Sequence, residues 1–175
     1  MATRIFVTGP PGCGKTTVIK RVVEKLRAAG VPVLGFWTEE VRDGGNRTRI
    51  GFDLVTVEGA NLPLARKGRP SASKVGGYGV VVENVDRVAE RLLDRLPSRA
   101  EESVIVMDEV GPMELLSETF RAAVERCVEV APRLIATVKL GHDPLGLLRR
   151  EDGIHFEVTR RNRDALPVEI AALLA

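Results

Sequence analysis

Nine residues near the start of this 175-residue chain could hold a polyphosphate: Gly9, Pro10, Pro11, Gly12, Cys13, Gly14, Lys15, Thr16 and Thr17. They fit the pattern G-x-x-x-x-G-K-[ST] and directly follow an apolar stretch, Arg4 to Thr8, that reads as a short buried strand. Gly12 and Gly14 allow backbone conformations that other residues resist, and they let the loop approach a ligand closely. Pro10 and Pro11 carry no N–H, so donors are expected mainly from the Cys13 to Thr17 half. Those amides would form an anion-binding nest at a helix N-terminus, where the dipole favours negative charge. Lys15 is expected to reach the β- and γ-phosphates, and the Thr16 hydroxyl to ligate Mg²⁺.

A second chemical feature closes the apolar run Ser103 to Met107: the pair Asp108-Glu109. An uninterrupted apolar run suits a central parallel strand buried on both faces. An acid at its end sits at the carboxyl edge of the sheet, where α/β proteins bind ligands, so Asp108 is the candidate Mg²⁺ carboxylate. A helix-capping Asp would look the same in sequence. Glu109 could orient and polarise a water for in-line attack on the γ-phosphorus; otherwise it is a solvated loop acid. Glu114, in Gly-Pro-Met-Glu-Leu, is either a second acid at the site or a first-turn helix residue favoured by the dipole. Cations for the transition state are offered by Arg42, Arg47, Arg49, Arg66, Lys67, Arg160, Arg161 and Arg163, and spacing does not choose among them. His142 and His155 have no second ligand nearby in sequence, which argues against zinc.

These residues need a scaffold. Val18, Ile19, Val22, Val23 and Leu26 recur at helical spacing between Thr17 and Ala29, and Gly30 stops that helix. Pro32 to Val41 and Arg49 to Val57 read as strands joined through the turn Asp43-Gly44-Gly45-Asn46, an early hairpin. Asn61 to Gly77 reads as a long surface loop, and Tyr78 to Val82 as a short strand. A helix capped by Asn84 follows, then the Ser103 to Met107 strand. Met113 to Val130 is expected as a helix with Leu116, Phe120, Val124, Cys127 and Val128 inward. Strands are expected at Arg133 to Val138 and Gly153 to Val158, with a last helix from Asn162 to Leu174. Strands alternating with helices imply one α/β domain spanning 1–175, a mostly parallel sheet flanked by helices.

Composition narrows the class. The chain is 44% hydrophobic and 29% charged, and its net charge of +2 does not by itself argue for nucleic acid or membrane. No apolar run approaches the roughly 20 residues of a spanning helix. Cys13 and Cys127 are expected to be free thiols in a reducing cytoplasm, Cys13 filling a permissive loop position or acting as a redox switch. Glutamine is absent, and arginine and glutamate are abundant, as in heat-adapted proteins.

Several stretches together resemble one family, the small thermophilic nucleoside-triphosphatases that include the human cancer-related nucleoside-triphosphatase. The pieces are TGPPGCGKTT, GFWTEEVR, RIGFDLVT and VIVMDEVGPMEL, with Thr159, Asn162 and Arg163 near the end, in this order over nearly the whole chain. The resemblance implies a RecA-like P-loop NTPase fold in which one strand separates the Mg²⁺ strand from the P-loop strand. It implies Mg²⁺-dependent hydrolysis of ATP, GTP and other nucleoside triphosphates with little base selectivity. By the matching motifs, Gly9 to Thr16 and Val104, Ile105, Val106, Met107, Asp108, Glu109, Val110 and Gly111 would be the nucleotide-contacting stretches. Glu109 or Glu114 would handle the water, and Asn162 and Arg163 would lie near base or ribose. One departure stands out: the family often carries a lysine where Pro112 stands here.

Three functions share these motifs. The first is an NTP hydrolase, monomeric and cytoplasmic, with Lys15, Glu109 and Glu114 as catalytic candidates. The second is a nucleotide or small-molecule kinase with the long loop as acceptor lid. The third is a switch whose hydrolysis times release of a nucleic-acid partner.

Overall fold

A computed structural model describes residues 1–45 and 47–175; Asn46, the last residue of the expected hairpin turn, lies outside them. The elements are β1 (Thr3–Thr8), α1 (Lys15–Ala28), β2 (Val33–Arg42), β3 (Arg49–Thr56), β4 (Asn61–Lys67), β5 (Lys74–Val75) and β6 (Tyr78–Val80). They continue with α2 (Val82–Arg99), β7 (Val104–Val110), α3 (Glu118–Val130), β8 (Arg133–Val138), β9 (Ile154–Glu157) and α4 (Leu166–Leu174). Among the described residues the strands form one sheet in the order β5-β6-β4-β3-β2-β7-β8-β1-β9. The segment from β2 to β9 is parallel, and β3, β4, β6 and β5 extend it as an antiparallel arm. The P-loop strand β1 and the Asp108 strand β7 are separated by β8 alone, as the resemblance implies.

The apolar runs explain the layering. Alternate residues of a strand point to opposite faces, so a continuous run covers both. Ile5, Val7, Val104, Val106 and Ile135 pack on one face with α1 and α4, among them Val18, Ile19, Val22, Leu26, Ile170 and Leu174. Phe6, Ile105, Met107, Leu134 and Ala136 pack on the other face with α2 and α3, among them Leu92, Leu96, Phe120 and Val124. Burying each large apolar side chain stabilises the fold by roughly 1.5–3 kcal/mol. The central strands are thereby fixed, and their carboxyl ends form one firm edge.

Four expectations are corrected. Asn61 to Gly77 is no single long loop: Asn61–Lys67 is β4, paired with β3 and β6, and Lys74–Val75 is β5. The strand was disguised by Pro63, which sits where the β3–β4 register shifts, beside Asp53. The second helix begins at Val82 with no side-chain cap, and Asn84 instead donates its Nδ2 to the Pro63 carbonyl at 2.8 Å. The helix expected from Met113 breaks at Ser117, whose Oγ accepts from the Phe120 amide at 2.9 Å and starts α3. Glu114–Leu116 before it is a 3-10 turn, and Leu116, expected inward, is exposed. The last helix starts at Leu166, with Pro167 in its first turn. Asn162 lies upstream in a turn, its Oδ1 accepting from the Thr159 amide at 2.8 Å and its Nδ2 donating to the Glu157 carbonyl at 2.8 Å.

Candidate active site

The loop between β1 and α1 ends at Gly14, whose φ of 105° is the left-handed conformation that glycine takes without cost. From there α1 begins at Lys15, and the first-turn amides of a helix have no partner within it. The Cys13 amide donates to the Pro10 carbonyl at 3.2 Å, which narrows the expected nest to Gly14, Lys15, Thr16 and Thr17. Cys13 itself is buried against the α1 face of the core, which fits its loop-filling role. The Lys15 ammonium crosses the loop, donating to the carbonyls of Gly9 at 2.8 Å and Pro10 at 3.3 Å.

Asp108 lies within β7, one residue before Glu109, and the Asp108–Glu109 peptide is cis. Two neighbouring strands and a helix converge on this carboxylate. Thr16 Oγ1 donates to its Oδ2 at 2.7 Å and Thr137 Oγ1, from β8, to its Oδ1 at 2.5 Å. The backbone of Thr38, from β2, bonds to it as well. Burial pushes the Asp108 carboxyl above the usual carboxylate range, while the Thr137 and Thr16 hydroxyls, the Thr38 backbone and the Lys15 charge pull it back. Asp108 is therefore no helix cap: its oxygens lie beside the first helical turn of the P-loop.

A cavity of about 880 Å³ opens over this edge. Gly9, Pro11, Gly12, Gly14, Lys15, Thr16 and Thr17 line it from the loop, and Asp108, Glu109 and Glu114 from β7 and the turn after it. Glu109 is half-buried, and burial followed by the neighbouring Asp108 charge raises its carboxyl above the ordinary range, against Lys15 and Lys139. Glu114 is 3% exposed, and burial with the Glu109 charge raises its carboxyl well above that range. It is a cavity acid as well as a first-turn residue, its carboxylate bonding to the backbone of its own turn at Glu114 and Gly111.

Gly111 sets the spacing of the two glutamates. A Cβ there would lie 2.5 Å from Glu109 Oε1 and 3.0 Å from Glu114 Oε2. Gly111→Ala is thus expected to displace the Glu109 carboxylate and lower any turnover that depends on it by about 10²-fold, the sensitivity of misplaced reacting groups. The added Cβ would also meet Glu109 Cγ at 3.0 Å, and Glu114 is buried, so some loss of stability should accompany the displacement. Steady-state turnover beside a thermal melt checks both halves.

Of the stretch Val104 to Gly111, the side chains of Val104, Ile105, Val106 and Met107 are fully buried and that of Val110 nearly so. They carry the site by holding β7 in the sheet; Asp108 and Glu109 are the members that line the cavity. Asn162 ties its own turn, and Arg163 lies over Gly14, its Cδ 3.4 Å from where a Gly14 Cβ would be. With Gly14, Thr17, Val18, Arg21 and Asp164, Arg163 lines a second cavity of about 250 Å³.

Of the candidate cations, Arg47, Lys67, Arg160 and Arg161 do not line the main cavity. Arg42 and Arg49 reach the cavity from the hairpin, both paired to Glu40 at 2.7 and 3.1 Å, with Arg49 over the rings of Phe52 and Tyr78. Arg66 pairs with Asp53 at 2.6 Å outside it. Sequence reasoning missed Lys20, Thr38, Thr137 and Lys139. For Thr137 and Lys139 the signal was present: the run Leu134 to Val138 ends at the same sheet edge as Asp108.

The residues fit a small hard cation. Thr16 Oγ1 and Asp108 are oxygen donors already in contact, and an ion such as Mg²⁺ needs only one or two protein ligands when waters and phosphate oxygens complete its shell. Among the described residues no group of three or more His, Cys, Asp or Glu side chains forms a separate metal cage. No helix among them is long and apolar enough to cross a membrane.

A family model described as NTPase matches residues 4–171. The chain is 40% identical over 173 residues to the nucleoside-triphosphatase THEP1 of Thermotoga maritima, covering 98% of this chain and 95% of that protein. It is 41% identical over 183 residues to the human cancer-related nucleoside-triphosphatase, covering 97% and 95%. Its structure is similar to the crystal structure of THEP1 from Aquifex aeolicus, with a TM-score of 0.84, 35% identity and coverage of 98% and 99%. It is also similar to the solution structure of a human cancer-related nucleoside triphosphatase, with a TM-score of 0.81, 38% identity and coverage of 98% and 96%.

Proposed function

The chain belongs to the NTPase family that its matching model and its relatives define, and from that premise we propose that it hydrolyses nucleoside 5′-triphosphates to the diphosphate and phosphate, with Mg²⁺ and little base selectivity. The observation that carries the proposal is Glu109: a carboxylate lining the same cavity as the phosphate loop, one residue from the Asp108 that Thr16 touches. A phosphotransferase must keep water from the γ-phosphorus, whereas a carboxylate at that position accepts the proton of an attacking water.

In this proposal the amides from Gly14 to Thr17 and the Lys15 ammonium hold the β- and γ-phosphates. Thr16 and Asp108 hold Mg²⁺, which when bound neutralises charge on the phosphate oxygens. Glu109 takes a proton as the water oxygen bonds to phosphorus, and the bond to the β–γ bridging oxygen breaks with its electron pair leaving on the diphosphate. Glu114 serves as the neighbouring acid whose burial favours its neutral form. The base lies toward the second cavity, where the Arg163 guanidinium offers a flat stacking surface that any base can use, which supports low selectivity. In this proposal the protein acts as a monomer, and the two free thiols suit a cytoplasmic protein.

Phosphate release from the purified protein with ATP, GTP, CTP and UTP, each with and without Mg²⁺, tests the whole proposal. Comparable Mg²⁺-dependent release from all four is the expected outcome. Release that requires an added metabolite would point to a kinase, and release that requires DNA or RNA would point to a partner-timed switch; either would overturn it.

A further inference from the structure

The main cavity brings five cations and five acids together where a polyphosphate must sit. Of the cations that line it, Lys20 is bound to Glu39 at 2.7 Å, and Arg42 and Arg49 are bound to Glu40. Asp108, Glu109 and Glu114 then face Lys15 and one other cation, Lys139. Among the described residues Lys139 enters no ion pair and no side-chain hydrogen bond, and it is exposed to the cavity side of the sheet edge. Its backbone is well held. It follows β8 directly, two residues after Thr137, which is fully buried and fastened to Asp108. Lys139 stands just past the end of that strand and lines the cavity. Pro112, which also lines the cavity, brings no charge to it.

We propose that Lys139 is a catalytic residue of this site, its ammonium contacting the γ-phosphoryl oxygens of the bound nucleotide across from Lys15. The inference rests on the hydrolase proposal and names a charge that proposal leaves unassigned. As the bond to the leaving oxygen breaks, negative charge spreads over the oxygens of the transferred group, and a fixed cation there stabilises the transition state more than the ground state. Lys139 forms no bond and transfers no proton in this role. A free ammonium just past the end of a buried strand costs little to redirect toward phosphate, whereas Arg42 and Arg49 must first leave Glu40.

The test compares wild type, Lys139→Ala, Lys139→Arg and the double variant Lys139→Ala with Pro112→Lys. The measurements are phosphate release and the affinities for ADP alone and for ADP with vanadate, a mimic of the transferred group in flight. Lys139→Ala is expected to lower kcat by about 10²–10³-fold with KM little changed, somewhat less than an arginine finger contributes. Affinity for ADP–vanadate should fall in parallel while affinity for ADP holds. Lys139→Arg should recover part of the rate, and so should Pro112→Lys in the Lys139→Ala background, since it returns a charge to the same cavity. A Lys139→Ala enzyme with wild-type kcat overturns the inference while leaving the hydrolase intact. So does an equal weakening of ADP and ADP–vanadate, which would mark ordinary ground-state binding. A wild-type protein that releases no phosphate removes the hydrolase proposal, and this inference with it.

Discussion

Glu109→Gln is expected to bind nucleotide nearly as wild type does while phosphate release falls on the order of 10²–10⁴-fold, the usual contribution of a positioned general base. The amide has almost the shape of the carboxylate and cannot accept the water's proton. Because the carboxylate is raised by burial and by Asp108, neutralising it removes repulsion from the phosphates, so affinity should hold or tighten. The wild-type rate should likewise fall as pH drops through the raised Glu109 value, which lies above the ordinary carboxylate range, and Glu109→Gln should erase that limb. Nucleotide titration beside single-turnover phosphate release separates binding from chemistry. Normal hydrolysis in this variant would transfer the base role to Glu114, the other cavity acid.

Lys15→Ala should fail differently. Its ammonium is the cation that spans the phosphate loop, bonded to the Gly9 and Pro10 carbonyls and lining the cavity beside Thr16. Losing a charge-assisted contact of roughly 1.5–3 kcal/mol weakens triphosphate binding by about 10–10²-fold. Turnover should drop further, since the same charge steadies the phosphoryl group in flight. A Lys15→Ala protein with wild-type affinity for triphosphate would remove Lys15 from the phosphate site. The pair of variants therefore splits the reaction: one loses chemistry with binding kept, the other loses both.

Much of the scaffold was legible because its signals are local. The Val18 to Leu26 periodicity, the runs Val104 to Met107 and Leu134 to Val138, and the Asp43 turn became α1, β7, β8 and the β2–β3 connection. The errors have two causes, one non-local and one local. Pro63 hid β4 because its lack of an N–H matters less at a register shift, and only the pairing with β3 reveals one. Ser117 broke the Met113 to Val130 helix because its hydroxyl found the Phe120 amide, a local competition that apolar spacing does not report.

For the site, the sequence by itself picked out the candidate phosphate loop and the two acids, Asp108 and Glu109, in the last part of the central strand. Both are written in contiguous residues, and each carries its chemistry in its own few positions. Which charges stand opposite that loop was decided by the tertiary structure alone. Strand order seats β8 between β1 and β7, bringing Thr137 against Asp108 and Lys139 into the cavity from about 120 residues beyond the loop. The hairpin's arginines were equally visible in sequence, but only the fold shows them already bound to Glu40. Charge acts through space, and spacing along the chain does not measure that distance.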